Sequence, residues 1–465
     1  MFRSYLFLCA AALGAGAYAQ GDPSVISTIL DEGKNRNQVM THLRHLTTQI
    51  GHRLTGSHSL QAACEWTRDE FKRLGLVNAN LEQWGEVPVG FQREQTGHVG
   101  RMVLPTRRDF QFTTRSWTPG TNGLMKGPAV AQPADLAAIE TLGSKLKGAW
   151  VMMKPAAGGR RGGGQRPSAD FMQALRMAGA SGTVTSSSNE LVVTSGSWAN
   201  LDFLDLPRDV SVMVRKSDYD AVMKELDAGK DVQLEFNVRQ KFFKGPVPIY
   251  NVVAEIRGTE KPDEVVIVSG HLDSWDGPGS QGTCDNGTGT MVALEAARIL
   301  MKAGAKPKRT IRFIMWTGEE QGLHGSRRYV QLHQAELDKI SAVLVDDGGT
   351  NFSGGLVAIA DMEPMLRAAI SPVATFFPDM PVNLVIRDTM PRGGGSDHAP
   401  FNQVGVPGFF WNETGRANYT HVHHTQHDSI DQAIPEYLVQ SSTVTAVVAY
   451  NLACADTMLP RQKAN

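Results

Sequence analysis

Residues 265–273 read V-V-I-V-S-G-H-L-D, an apolar run from Val265 to Ser269 that ends beside His271 and Asp273. A strand with no polar face is buried on both sides, so it belongs inside a sheet covered by helices. The pattern recurs outward along the chain. Thr310 to Trp316 is a second such run and leads into Glu319-Glu320; Ala342 to Val345 is a third and leads into Asp346-Asp347. Between the first two, Thr288 to Met301 carries Val292, Ala296, Ile299 and Leu300 on one helical face, and Leu384 to Ile386 and Gly408 to Trp411 continue the strand series. Alternating strands and helices from Asn251 onward predict an α/β fold, a three-layer αβα domain around a mostly parallel central sheet. Sites in such sheets form beyond the carboxyl ends of the strands, where His271, Glu319, Glu320 and Asp347 all fall.

The residue types at that edge suit metal-assisted hydrolysis. Carboxylates and imidazoles hold zinc, one carboxylate can bridge two ions, and a free one can take a proton from water. His271 and Asp273 point to the same side of an extended segment, so Asp273 can orient the imidazole. The bland reading is a surface pair. Asp285 lies between Cys284 and Asn286-Gly287 at the start of a helix. There it is either an N-terminal cap or, on a tight turn, a carboxylate offering both oxygens to metals. Glu319 and Glu320 repel each other, which a metal on Glu320 would relieve while Glu319 serves as general base. The alternative is a solvated acidic turn. One of Asp346 and Asp347 is expected to be a ligand, and His421, His423, His424 and His427 crowd the region before Asp428 as sources of a last imidazole. Ser396-Asp397-His398 has the residue types of a serine hydrolase. Three consecutive residues cannot form a relay, and no G-x-S-x-G elbow occurs. Asp397 and His398 are expected to buttress the site.

The rest of the chain bounds the setting. Its 465 residues suit two or three domains. Lys plus Arg total 46 against 47 Asp plus Glu, so no global field recommends nucleic acid or an anionic membrane as partner. Arg3, the apolar stretch Tyr5 to Ala17 and Ala17-Tyr18-Ala19 read as a cleavable leader cut after Ala19, which predicts a secreted or periplasmic protein. That stretch is shorter than the ~20 residues a membrane span needs. Cys64, Cys284 and Cys454 remain after the leader and allow at most one internal disulfide; Cys64 with Cys454 is a possible pairing that nothing in the sequence supports. Residues 20–118 and 230–465 are expected to form the main domain, and 119–229, where the texture changes near Trp117, an inserted α/β domain. Its ends should lie close together, so a short linker should replace it. Inside it, Gly158 to Gly164 holds five glycines and two arginines. That run reads as a mobile surface loop before it reads as a lid or an RNA-binding tract.

His271-Leu272-Asp273, Asp285, Glu319-Glu320, Asp347 and His424-Thr425-x-x-Asp428 together resemble the co-catalytic zinc exopeptidases of peptidase family twenty-eight. His271 to Asp276 and Lys306 to His333 look closest to its plasma glutamate carboxypeptidase branch. The resemblance implies two zinc ions. His271 and Asp347 would hold one, Glu320 and His424 the other, and Asp285 would bridge them. Glu319 would be the general base toward a zinc-bridging hydroxide, and Asp273 a supporting residue. His424 is preferred to His423, and Asp347 to Asp346, because they fit the family's motifs. Cys284 before the bridging Asp departs from the pattern. The segment 119–229 resembles a protease-associated insert. The implied function is hydrolysis at the end of short peptides or dipeptides, as a dipeptidase or carboxypeptidase, with an aminopeptidase as the rival. A single-zinc glutaminyl-cyclase-like transferase and a non-catalytic binding module are further alternatives. The implied partners are short peptides, and a homodimer is left open.

Overall fold

The computed structural model describes residues 21–155 and 167–462. The expected leader and the Gly158 to Gly164 run lie outside the described residues. Four parallel strands lie side by side in the order Arg309–Trp316, Lys261–His271, Ile340–Val345 and Gly408–Phe410. Their residues alternate between two cores, as strand geometry requires. Val266 and Val268 join a cluster with the helices Pro23–Asn35, His58–Leu74, Thr288–Lys302 and Pro435–Cys454, while Val265 and Ile267 join Tyr329 and Phe401 on the opposite face. The expected three layers follow from that alternation. Beyond Arg309–Trp316 the sheet continues antiparallel into Gln240–Ile256 and then Val77–Arg93, so the six-stranded sheet is mixed.

Register places the site. His271 pairs with Trp316 and Ser269 with Val345, so the residues that follow all three strands emerge at one edge. Leu384 to Ile386 does not join this sheet as expected. Asn383–Arg387 pairs with Gly355–Ile359 in a separate two-stranded sheet, where Val385 is exposed. Three apolar residues were too few to distinguish a peripheral strand from a central one. The three described cysteines are free and buried, so Cys64 and Cys454 are not joined. Among the described residues no helix is long and apolar enough to cross a membrane.

A second sheet of eight strands is built from Val99–Leu104, Gln233–Asn237 and the strands between them. Met102, Phe112, Trp150, Val212, Leu234 and Phe236 fill its core. The expected boundaries at 119 and 229 therefore cut through this sheet: Val99–Leu104 and Gln233–Asn237 pair with each other, and Gln233–Asn237 also pairs with Met125–Ala131. The change of texture near Trp117 marks a loop within the unit rather than its start. The chain leaves and re-enters the main body at Arg93 and Gln240, which are Cα partners on adjacent strands.

Replacing 119–229 with a short linker should therefore expose Leu234 and Phe236 and yield aggregated protein. Joining residue 93 to 240 through a short turn should yield a soluble core. Size-exclusion chromatography of the two shortened chains checks this, and a monomeric 119–229 deletion would contradict it.

Candidate metal centre

Each group at the edge is delivered by an element whose packing leaves it little freedom. His271 ends its strand, and Glu319-Glu320 follow Trp316 after a turn at Gly318 with φ of 73°. Asp347 lies just past Val345, and Asp285 sits in the turn Thr283–Gly287 that feeds the helix Thr288–Lys302. His424 comes from the segment after Tyr419–Val422.

These groups converge. His271 Nε2 lies 3.0 Å from Asp347 Oδ1 and 3.4 Å from Asp285 Oδ1. His424 Nε2 lies 2.9 Å from Glu320 Oε2 and 3.2 Å from Asp285 Oδ2. The two oxygens of Asp285 thus face two separate imidazole–carboxylate pairs. Ligands ~2.0–2.2 Å from a tetrahedral zinc stand roughly 3.3–3.6 Å apart; the four spacings, from 2.9 to 3.4 Å, are at or a few tenths of an ångström below that range, so small outward shifts would admit one ion on each side. Asp285 Oδ2 is buried and makes no hydrogen bond among the described residues, a vacancy in its bonding that a cation would fill. The donor set and that orphaned oxygen both fit zinc.

His423 also approaches, with Nε2 4.0 Å from Asp285 Oδ2, and the ligand atoms of Asp285, His423 and His424 gather within 4.8 Å of one another. Its side chain is 48% exposed against 25% for His424, and only His424 makes an ion pair with Glu320. Asp346 turns away from the centre: burial pushes its carboxyl up to about 7, and it shares a hydrogen bond with Glu413, itself raised well above its usual range by burial. Neither the pairing with Glu413 nor the burial of Asp346 has a signal in the Asp346-Asp347 doublet.

The electrostatics point to missing positive charge. Burial pushes Glu319 well above the usual glutamate range and Glu320 to about 7, with neighbouring carboxylates adding to both. Burial would also raise Asp285, but its close approach to the His271 and His424 rings outweighs it and holds this carboxyl well below its usual value. Burial disfavours charge on the imidazoles, yet the surrounding carboxylates raise His271 well above 6.5 and His424 to about 11. Without metal the imidazolium ions act as the counter-charge. With metal they must be neutral, and the cation takes over that part.

The supporting residues differ in part from expectation. His271 Nδ1 faces the main-chain oxygen of Asp273 at 3.0 Å, while the Asp273 carboxylate is 3.7 Å away. That carboxylate instead accepts from the backbone N–H groups of Glu319 and Glu320, each at 3.3 Å, and from Thr55 Oγ1 at 3.1 Å. Asp273 therefore orients the imidazole through its carbonyl and clamps the Glu319-Glu320 turn through its side chain. Buried Arg53 donates to the main-chain oxygens of Leu272, Gln281 and Gly282, tying the strand end to the Asp285 turn. Nothing in sequence flags Arg53, because all its side-chain acceptors but Gly51 O lie more than two hundred residues away. Asp428 accepts from the backbone N–H of Cys284 at 2.6 Å, which gives the H-T-x-x-D motif a physical role. Burial pushes the Cys284 thiol up, so it stays a protonated, inert group. Asp397 is buried, its carboxyl pushed by burial to about 7, and His398 lines the cavity, lowered by burial to about 4.

The second unit reaches this centre. Thr194 donates its N–H to the main-chain oxygen of His424 at 2.9 Å, and Val192 donates to Gln426 Oε1 at 2.9 Å. His424 has φ of 61°, a left-handed conformation that a non-glycine residue holds only when its surroundings impose it. The neighbouring unit supplies that constraint. Trp117, Trp198 and Trp275 stack edge to face between the two units, and Trp275 meets the His424 ring at 6.0 Å.

Residues 251–449 match the Peptidase family M28. Over 432 residues the chain is 27% identical to carboxypeptidase Q of Mus musculus, covering 92% of this chain and 88% of that one. The human carboxypeptidase Q matches at 27% over 433 residues with the same coverage. Among solved structures, a peptidase M28 precursor from Shewanella amazonensis aligns with a TM-score of 0.66 at 23% identity, over 95% of this chain and 98% of that one. A zinc aminopeptidase from Bacillus subtilis aligns with a TM-score of 0.53 at 21% identity, over 88% and 94%. At such identities the two structures show a shared fold.

Two outcomes follow for the metal. Zinc binding to the metal-free protein near pH 7 should release protons, because His271 and His424 are charged there and a ligand imidazole must be neutral. Affinity should therefore rise with pH. Calorimetry in buffers of different ionisation enthalpy reads the proton count, and a count of zero would contradict the charge assignment. Thr194→Pro, which removes the N–H held by His424, should weaken one zinc by about 10–100-fold in chelator competition, the range for lost supporting contacts. Unchanged affinity would show that the second unit does not position His424.

Proposed function

We propose, for a chain whose family M28 domain makes it a zinc metallo-exopeptidase, that the centre holds two zinc ions and that Glu319 is its general base. His271 and Asp347 would hold one ion, Glu320 and His424 the other, with Asp285 bridging. The observation that carries this reading is the division of the two Asp285 oxygens between separate imidazole–carboxylate pairs. Zinc held there supplies Lewis acidity, which draws the pKa of water from 15.7 toward about 7 and polarises a carbonyl.

The protein groups do the rest. Glu319 lines the cavity beside these ligands, and its Oε2 lies 3.8 Å from His271 Nε2. Its backbone N–H is held by Asp273, which fixes the turn from which its carboxylate reaches the cavity. Glu319 takes the proton from that water and passes it to the leaving amine. Tyr419 lines the same cavity, and burial with nearby carboxylates holds its phenol well above 10, so it remains a hydrogen-bond donor for the developing oxyanion. A cavity of about 700 Å³ suits short peptides or dipeptides. The leader read in the sequence supports export, to the medium or a periplasm. A single-zinc transferase would not need both halves of this set, and a binding module would not need Glu319.

Glu319→Gln should keep zinc near the unaltered level while losing at least about 100-fold in rate, the usual contribution of a general base. Full activity in the metal-loaded variant would show that another group takes the proton. Asp285→Ala should lose both ions, whereas His271→Ala and His424→Ala should each weaken one. Elemental analysis decides this, and two tightly held zincs in the Asp285 variant would contradict the bridge.

A further inference from the structure

The cavity contains an answer to which peptide terminus is read. Its carboxylates are Asp285, Glu319, Glu320 and Asp347, and each already has a place at the metals or as the base. Among the described residues, no further carboxylate lines the cavity to hold a substrate ammonium. Among the described residues, the one permanently charged cation in the lining is Arg327, on the helix His324–Leu332. The residue is exposed, and its Nε donates to the main-chain oxygen of Gly322 at 3.0 Å, which favours one orientation of the guanidinium. Its two terminal nitrogens make no hydrogen bond among the described residues, and no carboxylate among them pairs with it. A guanidinium anchored at Nε with both outer nitrogens free is shaped for a bidentate carboxylate.

A second polar group shares that lining. Asn412 is half-buried, and its backbone is locked by bonds to Gly355 O at 2.8 Å and from Gly354 N at 2.9 Å. Its side-chain amide makes no hydrogen bond among the described residues and provides a neutral donor. Beyond these and the polar rings of Tyr419, His398 and His423, Val357, Met390, Pro391, Phe409 and Phe410 give the lining an apolar patch. A charged fork, an amide and an apolar patch together describe a C-terminal residue with a free carboxylate and an apolar side chain.

We propose that Arg327 reads the α-carboxylate of the substrate's C-terminal residue, so that the enzyme is a carboxypeptidase or dipeptidase for peptides ending in an apolar residue. The proposal rests on the peptidase reading above. It is tested with the zinc-loaded full chain on di- and tripeptides ending in leucine, each as the free acid and as the C-terminal amide. The unaltered enzyme should favour the acid by about 100-fold in kcat/KM, as a site built around a charged group rejects a ligand lacking it. Arg327→Gln should bring acid and amide within about threefold, chiefly through KM, with zinc content unchanged, and Arg327→Lys should restore part of the preference. Equal rates on acid and amide in the unaltered enzyme would overturn the proposal, as would a full preference surviving in Arg327→Gln. A drop of equal size on both substrates with loss of zinc would also overturn it. Hydrolysis of neither acid nor amide, whatever the terminus, would instead bring down the peptidase reading and this inference with it.

Discussion

The constraint on which the rest depends is the confinement of like charges. Asp285, Glu319, Glu320 and Asp347 meet at one sheet edge, mostly away from water, together with two imidazoles. Carboxylates at these spacings repel, and burial makes the repulsion worse. The chain answers with His271 and His424, each wedged between two carboxylates, and with backbone donors to the carboxylates behind them. Asp273 and Asp428 each hold a turn that carries a ligand, and Arg53 ties the end of the His271 strand to the Asp285 turn. The cost of assembling such a set is recovered only when a divalent cation joins it. That is why the geometry speaks for a metal more firmly than any single residue does.

The same constraint explains the coupling between the two units. A ligand on a loop is only as well placed as the loop, and His424 sits in a backbone conformation that its own side chain disfavours. Thr194 and Val192, on a loop of the second unit, hold that segment by donating their N–H groups to His424 O and to the Gln426 side chain. The inserted unit is therefore part of the scaffold of the centre, and the simple picture of a removable appendage does not hold. Its entry and exit through Arg93 and Gln240 place it on the long antiparallel pair, which extends beyond the parallel strands.

Much of this was legible before any coordinates. The runs Val265 to Ser269, Thr310 to Trp316 and Ala342 to Val345 have no polar face, so they had to be central strands, and their ends had to share an edge. The chemistry of His271, Asp285, Glu319-Glu320 and Asp347 then stood out against that edge. What sequence could not carry was long-range pairing. Arg53 reads as an ordinary surface residue until its partners at Leu272 and Gly282 are known. Val99–Leu104 reads as any alternating strand, so its membership of the second sheet was invisible and the boundary was set too late. The short run at Leu384 lies on an exposed edge strand, where three apolar residues carry no information about depth. Asp273 was recognised as a supporting group, but the division of labour between its carbonyl and its carboxylate is a matter of ångströms.

The central claim is that Asp285 stands between two metal ions. Crystals of the zinc-loaded protein, measured at wavelengths on either side of the zinc absorption edge, test it most directly. The account predicts two anomalous peaks about 3.5–4 Å apart, the separation usual for paired metals, one near His271 and Asp347 and the other near Glu320 and His424. A single peak, or a second peak remote from Asp285, would contradict it.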